Sequence, residues 1–177
     1  MNTSRADVQV VQTMVDTMVG TPRFSYPAKK NADRPEGAFA HIQLLEEYQV
    51  AIPTKLVTEA DDNTTTYMTL SPARLRFRIG LVDTDGSQSS QIMHGWNSEP
   101  MKALMIQLGY GFVRCMPASL EDALLEKQWE ERQGLSLELY TTRRYVEVVD
   151  NIRAVQITGE FYTGHIDPIL LTFDINE

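Results

Sequence analysis

The chain has 177 residues, 42% apolar and 23% charged, with 16 lysines and arginines against 24 acidic side chains and a net charge of −8. That length fits one domain able to bury a core without disulfides or metals, and the composition excludes disorder, collagen and coiled coil as the whole answer. No run approaches the ~18 uncharged apolar residues of a membrane-spanning helix, and a net acidic chain lacks the basic stripe of a phosphate-neutralising nucleic-acid binder.

The acidity is uneven: residues 1–60 sum to −1, 61–118 to 0 and 119–177 to −7. The single cysteine, Cys115, allows no intrachain disulfide and fits a reducing compartment. The N-terminal stretch MNTSRADVQVVQTMV lacks the charged start and apolar core of a secretion signal.

Taken in chain order, residues 5–19 predict a helix, with Val8, Val11, Met14, Val15, Met18 and Val19 on one face. Ser4 can cap it, and Gly20 followed by Pro22 ends it. Residues 21–37, broken by Pro22, Pro27, Pro35 and Gly37, predict a loop or extended arm, the most basic stretch of the chain. Residues 38–58 predict strands on either side of Pro53, and Glu59–Thr66 a polar hairpin tip. The clearest strand covers 67–82: Leu75, Phe77, Ile79 and Leu81 alternate with Arg74, Arg76 and Arg78. Asp83 to Gly86 closes it with turn residues.

Residues 87–108 predict helix in two pieces, the second starting with Ser98 as cap and Pro100 in its first turn and stopping at Gly109. Tyr110 to Pro117 reads as extended, and Ser119 to Asp122 as the cap of a short helical turn reaching about Leu125. A strand over 129–145 alternates Leu135, Leu137 and Leu139 with Ser136, Glu138 and Tyr140. Val146 to Asn151 should change direction, and Ile152–Tyr162 should form another strand. The order of elements predicts an α+β domain, a mostly antiparallel sheet with helices packed on one face. The expected organisation is a single domain over 1–177. A helix and basic loop occupy 1–37, the α+β core 38–162 and a C-terminal arm 163–177.

The motifs that carry chemistry mostly fail. His41, His94 and His165 have no second ligand at helical or hairpin spacing. Counting a calcium loop from Asp83 puts glycine at the fourth place and His94 where the bidentate glutamate belongs. Gly109-Tyr110-Gly111 lacks the later glycine and lysine of a phosphate loop. Adjacent carboxylates such as Glu46 and Glu47 point to opposite faces of a strand. No catalytic residue, metal site or cofactor site is expected. The arginine row has three readings: cross-strand pairing within one subunit with Glu138 as an acidic partner, a subunit interface, or contact with DNA, against which the net charge argues.

The strand RLRFRIGLVDTDG, the helix end LMIQLGYGFVRC and the stretch LEKQWEERQGLSLELYTTRRYVEVVDNIRAVQITGEF resemble the phage neck terminator family, the tail-terminator or tail-completion proteins of tailed phages. The strongest part is Trp129-Glu130-Glu131-Arg132 leading into an alternating strand; residues 1–38 and the last 14 carry none of the resemblance. The resemblance implies a non-enzymatic α+β subunit of a virion, assembled in the bacterial cytoplasm into a ring of itself, typically six copies. Such a ring would meet the tail tube protein, the head–tail connector or adaptor proteins and, in some particles, the tail sheath. DNA would only pass through its channel, and no membrane would be involved. A head–tail adaptor or baseplate protein of similar fold and a small enzyme with a site built from distant residues stay open as alternatives.

The candidate interface residues are Arg74, Arg76, Arg78 and Glu138, together with Ile169, Leu170, Leu171 and Phe173 of the C-terminal segment. Five large apolar residues in seven positions there predict an arm that docks on a partner, with a last strand on the subunit's own sheet as the competing expectation.

Overall fold

In the computed structural model, backbone is described for residues 3–28, 35–60, 64–84, 86–118, 123–125, 128–130, 132–150, 154–161 and 169–176, and side chains within 5–28, 35–60, 64–84, 86–118 and 132–150. The chain forms two compact units, Met1–Ile52 with Ser71–Arg143, and Pro53–Leu70 with Arg144–Glu177.

The elements are α1 (Thr3–Val19), β1 (Ser25–Pro27), β2 (Phe39–Gln49), β3 (Thr54–Ala60), β4 (Thr64–Val82), α2 (Gly86–Gly95), α3 (Glu99–Leu108), β5 (Tyr110–Ala118), β6 (Ala123–Leu125), β7 (Gln128–Glu130), β8 (Arg132–Asp150), β9 (Ala154–Phe161) and β10 (Ile169–Asn176). The main sheet has the order β1-β2-β4-β8-β5, with β3 paired to β4. β2 and β3 run antiparallel to β4, and β5 runs antiparallel to β8, while β1 pairs with β2 in parallel. This is the α+β architecture that the pattern of elements predicts.

The first unit holds the core. Period-two alternation on β4 buries Leu75, Phe77, Ile79 and Leu81 on one face. β8 adds Leu135, Leu137 and Leu139, and β2 adds Ala40 and Ile42. The helices close that face with Val11, Met14 and Val15 of α1, Ile92 of α2, Trp96, and Met101 and Met105 of α3. Trp96 is fully buried and stacks on Phe112, with ring centroids 5.9 Å apart and planes 5° apart. Gly80 lies opposite His41 across the β2–β4 pair, and a Cβ there would stand 2.1 Å from the imidazole. Any side chain at 80 would require the His41 ring to shift.

Local signals place the helix ends. Ser98 occupies the cap position of α3 with extended backbone, although its hydroxyl makes no cap hydrogen bond, and Pro100 sits in the first turn. Gly109 ends the helix in the left-handed region at φ 78°.

Three expectations are corrected. The loop over 21–37 contains β1, which pairs parallel with β2. It is fastened by α1: the Ser25 amide and hydroxyl donate to Asp16 Oδ1 at 2.8 and 2.6 Å, and Gln12 Nε2 donates to the Ser25 carbonyl at 3.0 Å. Three residues ending in proline carry no periodic signal, so tertiary bonds decide the conformation. β8 runs straight through Val146 to Asp150 where a change of direction is expected, because valines and a tyrosine favour extended backbone. Ala123–Leu125 is a strand paired with Gln128–Glu130 and not helix; residues 119–122 lie outside the described ones.

In the second unit, β3 pairs with the Thr65–Leu70 part of β4. Ile169–Asn176, within the segment expected as an arm, forms β10 and pairs antiparallel with β9 as a two-stranded sheet of its own. Residues 162–168 lie outside the described ones.

Candidate assembly surface

The alternation that buries the leucines of β4 sends Arg74, Arg76 and Arg78 to the opposite face of the sheet. Their fates differ. Arg74 pairs with Glu138 of β8, and Arg114 of β5 reaches the same carboxylate, Nη2 to Oε1 at 2.7 Å. The Glu138 side chain is only 4% exposed, so two guanidinium groups close over one buried anion. Tyr48 and Tyr140 flank the cation, each ring centroid within 6 Å of the Arg74 guanidinium. Arg76 meets Glu46 across the β2 register at 3.1 Å, but both side chains are well exposed and the pair contributes about 0–1 kcal/mol. Arg78 is exposed and makes no ion pair among the described residues. The structure therefore brings Arg74 and Glu138 together within one subunit, and leaves Arg76 and Arg78 toward solvent. The side chains of Ile169, Leu170, Leu171 and Phe173 lie outside the described ones, and only their backbone pairing with β9 is defined.

Hydrogen bonds from Arg114, with further help from Arg74, hold the Glu138 carboxyl below its ordinary value against the opposing effect of burial. A depressed carboxylate stabilises the fold above its unfolded value of ~4.3 and loses that contribution as pH falls through the folded value. Replacing Glu138 by glutamine should therefore lower the melting temperature at neutral pH, with the gap to the wild type closing as pH falls below ~4. A gap that stays constant across that range would show that the pair contributes nothing.

Sequence reasoning missed a second ionic cluster on the helix-covered face. Arg143 of β8 donates to both carboxylate oxygens of Asp7 on α1, from Nη1 at 3.0 Å and Nη2 at 2.6 Å. It also donates to Glu47 of β2, from Nε at 2.7 Å and Nη2 at 3.0 Å. The Tyr110 hydroxyl donates to Asp7 Oδ1 at 2.5 Å. Asp7 is 1% exposed. Its bonds, followed by those of Glu47, push the Arg143 guanidinium further up, while burial and then Asp7 raise the Tyr110 phenol. A signal was present. Asp7 lies four residues before Val11 and seven before Met14, so a lone acid sits on the apolar stripe of α1 and needs a buried partner.

In both clusters the carboxylates are paired with guanidinium groups, Glu138 with Arg74 and Arg114, and Asp7 and Glu47 with Arg143. Burial pushes the Cys115 thiol up to about 11, with the Trp96 indole N–H pulling the other way, so it carries little thiolate at neutral pH. Among the described residues no three His, Cys, Asp or Glu side chains are grouped to hold a metal ion. What the surface offers is a charge-banded sheet face in the first unit and exposed apolar strands in the second.

The family described as phage neck terminator protein has a sequence model that matches residues 8–164. The chain belongs to that family. Nothing among curated proteins matches it significantly. The match starts on α1 and runs through β9, so it takes in the Arg74–Glu138–Arg114 cluster, the Arg143 cluster apart from Asp7, and the helix-covered core of the terminator. Its role is structural, in the neck or tail of the phage, as a component of the virion.

Proposed function

We propose that this terminator closes into a ring of six identical copies that caps the tail tube and joins it to the head connector. The family match over 8–164 carries the reading. Carboxylates paired with guanidinium groups within the subunit are consistent with a role through surfaces. The partners on this reading are other copies of the chain, the tail tube protein and the connector or adaptor proteins. The sheath is added where the tail contracts, and assembly takes place in the host cytoplasm. DNA passes through the channel without binding, which the net charge of −8 favours because like charges repel at close range.

Electron microscopy of purified protein mixed with tail tubes tests this. The expected result is one six-fold ring at a single end of each tube and an arrest of further tube growth. Protein distributed along the tube wall, or absent from both ends, would overturn it.

A further inference from the structure

In the second unit, β3, the Thr65–Leu70 part of β4 and the Arg144–Asp150 end of β8 carry apolar side chains on both faces of a sheet. Lys55 fixes which residues share a face. Its Nζ lies 4.0 Å over the Tyr67 ring and 3.3 Å from Glu147 Oε2. Lys55, Val57, Tyr67, Tyr145, Glu147 and Val149 therefore form one face, with Val57 directly opposite Tyr67 in the register. Leu56, Val146 and Val148 form the other by alternation. Val57, Tyr145, Val146 and Val148 are each 60–68% exposed. β3 is exposed at every position and, among the described residues, pairs on one side only, with β4. Monomers rarely show an apolar patch beyond ~300–600 Å², and a strand that is both apolar and unpaired at its edge is a template for association.

We propose that this two-faced sheet is the contact between neighbouring copies in the ring, the first face of one copy packing on the second face of the next. The inference rests on the ring reading above. Three observations point to a second copy. A partner at one end of the ring would cover one face and leave the other wet, whereas both faces here are apolar. A closed ring uses heterologous contacts, which need two unlike patches on every subunit, and these two faces are unlike. The charges also allow it: Lys55 and Glu147 neutralise each other on the first face, and Arg144 and Asp150, of opposite sign, bracket the second. Copies of a chain with net charge −8 can then meet here without like-charge repulsion.

Two full-length variants test it, Tyr145→Asp on the first face and Val148→Asp on the second. Analytical ultracentrifugation should show the wild type as a ring, alone or on tube ends, and each variant alone as a monomer with an unchanged far-UV spectrum. Mixed together, the two variants should stop at a two-subunit species, because each supplies one intact face. As a second measurement, Val57→Cys combined with Val148→Cys, in a Cys115→Ser background, should give an oxidised ladder of covalent multimers, since the two thiols of one chain lie on opposite faces. Rings that form normally from either variant, or an oxidised sample that stays monomeric, would overturn the contact and leave the ring reading intact. A wild type that forms no ring, alone or on tubes, would overturn the ring reading and this contact with it.

Discussion

Replacing Arg143 by alanine should cost the protein about 3–5 kcal/mol, the usual penalty for leaving a buried charge without its partner. For a chain of this length that lowers the melting temperature by roughly 10 °C. The physical reason is Asp7, which at 1% exposure has no water to replace the two lost guanidinium bonds. Removing both charges at once should be far milder. An Asp7→Leu, Arg143→Met double variant leaves no fully buried ion unpaired, since Glu47, which loses the same arginine, is 37% exposed and open to water, and it fills the space with apolar atoms, an exchange that is often neutral. A calorimetric cycle over wild type, the two single variants and the double variant checks this. Additive single costs would show that the two side chains act independently.

Trp96→Ala should be comparably damaging, at about 3–5 kcal/mol, because it empties the space between α2, α3 and the sheet. Trp96→Phe should recover much of that loss. The ring stacked on Phe112 is retained, and the indole Nε1 that is given up makes no hydrogen bond of good geometry among the described residues. Urea titration reads both: the midpoint falls strongly for alanine and weakly for phenylalanine, with the slope unchanged. Equal losses would place the stabilisation in the indole N–H and not in the ring.

The helices and long strands were legible because each carries a period. Leu75, Phe77, Ile79 and Leu81 alternate without interruption and all four are fully buried. The start of α3 was legible from Ser98 and Pro100 and its end from Gly109, which punctuate the backbone by their own conformational limits. β1 was not, since its three residues are held by Asp16 and Gln12 of a helix that precedes it by nine and thirteen positions. The arginine row was legible as a row, but its pairing was not. Which acid each guanidinium meets depends on the β2–β4 and β5–β8 registers, and those are set by the whole sheet. The Asp7–Arg143 pair spans 136 residues, beyond any local pattern.

The position of β8 governs the timing of synthesis. It lies between β4 and β5 in the sheet, yet it is made after both. While the chain emerges from the ribosome, β4 and β5 therefore have no common neighbour, and the leucine-lined gap that Leu135, Leu137 and Leu139 will fill stays open. Asp7 of α1 also lacks its ionic partner until then, because Arg143 lies 136 residues later. A nascent chain released before residue 132 would leave the β4 edge that β8 occupies without its strand, a template for pairing with neighbouring chains and a natural target for chaperones. One late strand thus supplies both the missing neighbour of β4 and β5 and the partner of the buried acid on the first helix.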